Sequence, residues 1–134
     1  MVTILIAAHR DLGLALLRAA EGVVGPMPAV EAVALGPDSP PERVAERLAA
    51  LTGSLGEGDG LLVLTDMFGG TPTNQSLPFL QAGRVEVLTG VNLPMVLKAH
   101  TARDEMEVGE LALFLRDYGC RNVVLASELW GGRN

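Results

Sequence analysis

The chain has 134 residues, with 16 acidic and 10 basic side chains, a net charge of −6 and 49% apolar residues. The length suits a single domain, 1–134, with one core, and the acidic balance argues against a nucleic-acid binder, whose partner's phosphates demand a basic surface. A single cysteine, Cys120, excludes an internal disulfide and argues against a Cys-rich metal site; the two histidines, His9 and His100, stand too far apart for ligand-like spacing, so no metal is expected.

Val2–Ala8 is a continuous apolar run of strand length without a basic segment before it. It reads as a buried strand, not a signal peptide. No run approaches the roughly 20 apolar residues that span a bilayer, and a cytoplasmic protein is expected. Asp11 can cap a helix to about Val24, with Leu14, Leu17, Glu21 and Val24 at helical spacing and Gly25-Pro26 ending it. Val30–Leu35 reads as a second strand. Ser39-Pro40-Pro41-Glu42 has the form of a helix start, with Ser39 as cap and Glu42 completing a capping box. Val44, Leu48 and Leu51 would then face the core, and residues 53–60 form a glycine-rich turn.

Leu61–Thr65 is a third buried strand, which delivers Asp66. Thr71-Pro72 starts another helix, with Thr71 as cap, and Pro78 shortens or kinks it. Arg84–Thr89 is a fourth strand. Asn92-Leu93-Pro94 opens a helix toward Ala102. Glu105–Tyr118 is amphipathic, with acidic residues at its start and Gly119 at its stop. Val123–Ala126 reads as a fifth strand, followed by a short tail, 130–134, whose Trp130 is expected to pack a terminal segment. Strands alternating with helices, and apolar on both faces, predict an α/β fold: an open, largely parallel five-stranded sheet with helices on both faces.

In such sheets, ligands and catalytic groups lie beyond the carboxyl ends of the strands. His9 follows the first strand and Asp66 the third. If those strands are neighbours, the carboxylate can hold one ring N–H and leave the other nitrogen's lone pair free as a nucleophile. The plainer alternative is a surface histidine and a structurally paired carboxylate, although an aspartate after a buried strand is costly unless used or paired. Gly69-Gly70-Thr71-Pro72 lets backbone approach a ligand closely and offers a hydroxyl and helix N–H groups to an anion; it is equally readable as a tight turn with a threonine cap. There is no Walker-A loop, no G-x-G-x-x-G fingerprint and no acidic cluster for magnesium, which argues against direct chemistry on ATP. His100 is read as a surface or boundary residue, Arg103-Asp104 as a local pair or cap, and Cys120 as structural.

His9, Asp66-Met67-Phe68-Gly69-Gly70-Thr71-Pro72 and Gly90-Val91-Asn92-Leu93-Pro94-Met95, in that order over nearly the whole chain, resemble the IIA component of the mannose class of the bacterial phosphoenolpyruvate-dependent sugar phosphotransferase system. The resemblance implies a phosphocarrier and phosphotransferase component. His9 would accept a phosphoryl group on Nε2 from the phosphocarrier HPr and donate it to a IIB protein. Asp66 would bind Nδ1–H. Gly69, Gly70 and Thr71 would contact the phosphoryl group, with Arg10, Phe68 and Asn92 at the rim. No cofactor is implied. The family fold has parallel strands plus an antiparallel edge strand exchanged across a homodimer. Because the chain ends soon after the fifth strand, the IIB partner is expected to be a separate protein.

The family usually has glycine after the active-site histidine, where this chain has Arg10. That side chain could steady phosphoryl charge or clash with the basic face of HPr. Three other readings compete with sugar transport. One is a regulatory IIA protein without transport, and another is a phosphoryl donor to a dihydroxyacetone kinase, from which Gly-Val-Asn-Leu-Pro-Met leans away. The third is a flavodoxin-shaped small-molecule binder, which would not be phosphorylated.

Overall fold

The computed structural model describes residues 1–130. Within them, four strands alternate with helices: β1 (Val2–His9), α1 (Leu12–Val24), β2 (Val30–Leu35), α2 (Arg43–Gly53), β3 (Gly60–Thr65), α3 (Thr71–Ser76), β4 (Val85–Leu88), α4 (Leu93–Ala102), α5 (Val108–Arg121) and α6 (Ala126–Leu129). The strands form one parallel sheet in the order β2-β1-β3-β4.

Strand period explains the layers. Side chains alternate between faces along a strand. Val2, Ile4 and Ile6 of β1, with Leu62 and Leu64 of β3, face Leu17 and Ala20 of α1, Met95, Val96 and Ala99 of α4, and Val108, Leu111 and Leu115 of α5. The intervening Leu5, Ala7, Leu61 and Val63, with Val85, face Val44, Leu48 and Leu51 of α2 and Phe79. Both faces of the sheet are therefore dry, which is why its strands read as continuous apolar runs.

Several local expectations are corrected. Ser39 does not cap α2: its Oγ accepts from Gly36 N–H at 3.0 Å and closes a turn. The helix begins at Arg43 instead, and Gln75 of α3 serves its start by accepting from Ala45 N–H at 3.0 Å and donating to the Pro41 carbonyl. Asp11 precedes α1 without a side-chain cap bond. Gly70, not Thr71, is the N-cap of α3, and Pro78 confines that helix to one short stretch followed by a 3-10 turn, Leu77–Phe79. The helix expected from Glu105 begins at Val108 and runs through Gly119 to Arg121, because Gly119 is a packing position: a Cβ there would lie 2.6 Å from Met95 Cε.

Val123–Ala126 is not a strand among the described residues, so the sheet has four strands, not five. Val123, Val124 and Leu125 are exposed, and among the described residues no strand pairs with them. Trp130 is exposed as well, and residues 131–134 of the tail lie outside the described residues. Arg103 is not a local cap. It is buried, and it donates to the carbonyls of Pro28 and Ala29, holding the turn before β2. Cys120 is exposed rather than packed in the core.

Candidate functional site

The β1–β3 boundary is where the chain's winding reverses: one crossover leads from β1 out to β2, and the next returns past β1 to β3. Crevices at such reversals, beyond the strand carboxyl ends, are the binding positions of open α/β sheets. Ala7 pairs with Thr65, so the two strands end almost level and present His9 and Asp66 side by side.

Asp66 Oδ2 accepts from the backbone N–H of His9 at 3.0 Å and lies 2.8 Å from its Nδ1. One carboxylate oxygen thus fixes both the main chain and the ring of the same residue. The Asp66 side chain is only 12% exposed and that of His9 is 46% exposed. Partial burial pushes the Asp66 carboxyl up. The His9 backbone N–H, then the ring, outweigh this and hold it below its usual 3.8. An ionised carboxylate can only accept, so Nδ1 must carry the proton. In the neutral ring, Nε2 then keeps its lone pair. The ring is an oriented nucleophile with one free nitrogen.

The sign of the Asp66 shift gives a pH prediction. A folded-state value below the unfolded one contributes stability that is present above the ordinary carboxylate range and is lost as pH falls through the lowered folded value. The difference in urea midpoint between the wild type and Asp66→Asn should therefore be present at about pH 5 and shrink as pH falls below about 4. A difference that stayed constant down to pH 3 would remove the His9–Asp66 pairing from the stability of the fold.

The loop after β3 is built to let the ring in. Thr73 Oγ1, buried, bonds Thr65 Oγ1 at 2.7 Å and the Met67 carbonyl at 2.5 Å, pinning the turn that carries Asp66. Gly69 has φ +90°, a left-handed conformation that glycine adopts without penalty. Gly70 has ordinary extended angles, but a Cβ on it would lie 2.6 Å from His9 Cε1 and 3.2 Å from Nε2. It is glycine because the imidazole occupies that space. The two glycines are visible in the sequence pattern; Thr73 and Gln75 are not, because nothing local marks a buried threonine or a long-range glutamine bond.

His9, Arg10 and Thr71 line one cleft of about 330 Å³, walled by Leu35, Gly36, Pro37, Ser39, Pro40 and Pro41. Arg10 has φ +54°, a conformation that costs a non-glycine residue about 1–2 kcal/mol. It is held there by two backbone bonds to Leu35, Arg10 N–H to the Leu35 carbonyl at 2.8 Å and the reverse at 3.0 Å.

The family model for EIIA-man, described as PTS system fructose IIA component, matches residues 3–115. The chain belongs to this family. It is 26% identical over 129 residues to the PTS system fructose-specific EIIA component of Bacillus subtilis (strain 168), covering 96% of this chain and 88% of that protein. It is 31% identical over 105 residues to the PTS system mannose-specific EIIAB component of Escherichia coli (strain K12), covering 78% of this chain but 32% of that protein, so it corresponds to about a third of that relative. Among solved structures, the phosphotransferase system component EIIA from Streptococcus agalactiae superposes with a TM-score of 0.83 at 26% identity, covering 96% of this chain and 99% of that one. The mannose/sorbose specific IIA subunit from Enterococcus faecalis gives 0.80 at 26%, covering 92% of each.

In this IIA domain the other residues singled out are distributed unevenly. Phe68 is 73% exposed beside the loop, with Met67 also exposed, a small apolar rim next to the histidine. Asn92 caps α4, its Oδ1 accepting from Met95 N–H at 3.0 Å, and its Nδ2 donates to the Gly119 carbonyl at 3.1 Å. Its side chain is thus committed to joining α4 and α5, and it lines a separate hollow with Met95, Gly119, Cys120 and Val123. His100 is half-buried in α4, outside the His9 cleft. Among the described residues, no helix is long and apolar enough to cross a membrane.

Proposed function

We propose that this IIA domain carries a phosphoryl group on Nε2 of His9, accepting it from HPr and passing it to a IIB component in the cytoplasm during sugar uptake. The observation that carries the reading is the 2.8 Å contact between His9 Nδ1 and Asp66 Oδ2, which leaves Nε2 as the nucleophile at an open cleft. In the transfer, the Nε2 lone pair forms a bond to phosphorus while the bond from phosphorus to the donor's ring nitrogen breaks and returns its electron pair to that nitrogen. Asp66 balances the positive charge that develops on the His9 ring. Gly69, Gly70 and Thr71 contact the phosphoryl oxygens, and Arg10 and Phe68 form the rim, whereas Asn92 is held away from it by its bonds to Met95 and Gly119. Phosphoryl transfer asks mainly for positioning and charge stabilisation, and membership of the IIA family supports both partners. Incubated with phosphoenolpyruvate, enzyme I and HPr, the protein should gain one phosphoryl group, labile to acid and stable to base. No gain with any HPr would overturn the reading.

The protein acts as a homodimer, with the segment from about Val123 to Trp130 at the interface and its first residues, before α6, as the exchanged antiparallel edge strand. Three features support this. The segment is apolar and exposed, with Val123 at 78%. Among the described residues, Val123, Val124 and Leu125 are not part of the sheet. The outer edge of β4 is open beside a hollow lined by Glu86, Val87, Leu88 and Leu113. Light scattering at micromolar concentration should report twice the mass of the 14.1 kDa chain; a monomer would remove the exchange.

A further inference from the structure

We propose that Arg10 is the counter-charge of the phosphorylated state: its guanidinium pairs with the phosphoryl group on His9 and stabilises the phosphorylated form, rather than serving to dock the donor. The proposal rests on the reading of His9 as the phosphoryl carrier and deepens it.

Three observations and one match of chemistry carry it. Among the described residues, Arg10 is the one arginine or lysine lining the cleft shared by His9 and Thr71, whose other walls are neutral. The carboxylate already present, Asp66, lies 2.8 Å behind the ring, so a phosphoryl group on Nε2 would put a second anion on the other side of the same imidazole. Like charges this close oppose one another unless a cation intervenes. Next, Arg10 holds a left-handed backbone conformation with φ +54° although it is not glycine, and both of its backbone groups are tied to Leu35 at 2.8 and 3.0 Å. A strained residue over-determined by its surroundings at a functional cleft is grounds for asking what its side chain does. Finally, guanidinium presents a planar fork of donors that matches phosphate oxygens.

The charge role and a docking role separate by thermodynamics. A docking residue changes forward and reverse transfer rates together and leaves the equilibrium constant between phospho-HPr and the phosphorylated IIA domain unchanged. A counter-charge shifts that constant. The experiment compares the wild type, Arg10→Lys and Arg10→Gln, with the phosphorylated fraction of each measured by 31P NMR at equilibrium with phospho-HPr. At low salt, Arg10→Gln should lower the equilibrium constant by roughly three- to tenfold, as expected for a partly exposed charged pair. Arg10→Lys should stay within about twofold, because it keeps the charge. The gap should narrow at about 0.5 M salt, where screening is strong. In parallel, each protein is treated with phosphoramidate, a small donor that needs no docking, to establish that His9 is phosphorylated at all. If Arg10→Gln equals the wild type at low salt, or if Arg10→Lys falls as far as Arg10→Gln, Arg10 is not the counter-charge while the His9 reading stands. If the wild type gains no phosphoryl group on His9 from either donor, both fall together.

Discussion

His9→Ala should abolish phosphorylation by HPr, and Asp66→Asn should slow it by about 10²–10⁴-fold, the range typical of a positioned acid–base group. Both proteins should fold. The His9 ring is nearly half exposed and supports no core contact, and an asparagine fits the aspartate's space. The slow step in Asp66→Asn has a stated cause. An amide presents either an oxygen or an NH2 group to Nδ1, so it can hold the wrong tautomer, with the proton on Nε2 and the lone pair facing inward. It also cannot balance the positive charge that develops on the ring as phosphorus bonds. The double variant should be no worse than His9→Ala alone, because the two residues act as a unit. Label on His100, or a His9→Ala protein that is still phosphorylated, would defeat the assignment.

The half of the fold that builds the site was legible because its signals are local or periodic. β1 and β3 are buried on both faces, so they are largely apolar runs, and the polar residues at their ends, His9 and Asp66, meet beyond the sheet. Gly-Gly-Thr-Pro marks a strand-to-helix turn by composition alone. What was not legible depends on partners distant in sequence. Ser39-Pro-Pro-Glu has every local feature of a capping box, yet Gln75, 30 residues from Ala45, supplies the bond, and Ser39 turns back to Gly36. Gly119 looks like a helix stop but is a point of close contact with Met95. Arg103 looks like a local pair or cap with Asp104 but is buried on two carbonyls 74 and 75 residues away. Val123–Ala126 has strand composition without a strand partner among the described residues, and composition does not say whether a partner belongs to another molecule.

Gly70→Ala and Gly69→Ala should fail in opposite ways, which tests whether the loop's two glycines serve the chain or the chemistry. At Gly70 the backbone, φ −88° and ψ 170°, suits alanine, so the peptide itself is not strained. The added Cβ, however, would sit 2.6 Å from His9 Cε1 and 3.3 Å from Met67 Cγ. The imidazole is the mobile party: it is half exposed on the cleft side and can swing outward. In doing so it gives up the 2.8 Å bond to Asp66. Gly70→Ala should therefore lose phosphoryl transfer by about the same 10²-fold or more as Asp66→Asn, with a melting temperature within a few degrees of the wild type's. The His9 ring 15N shifts should move from those of a single Nδ1–H tautomer toward a mixture. At Gly69 a Cβ meets nothing within 4 Å, but φ is +90°. Gly69→Ala should cost about 1 kcal/mol of stability through the backbone, while its ring shifts keep the wild-type tautomer and transfer falls far less. If Gly70→Ala phosphorylates at the wild-type rate with unchanged ring shifts, the close approach does not position His9, and the site owes its geometry to Asp66 alone.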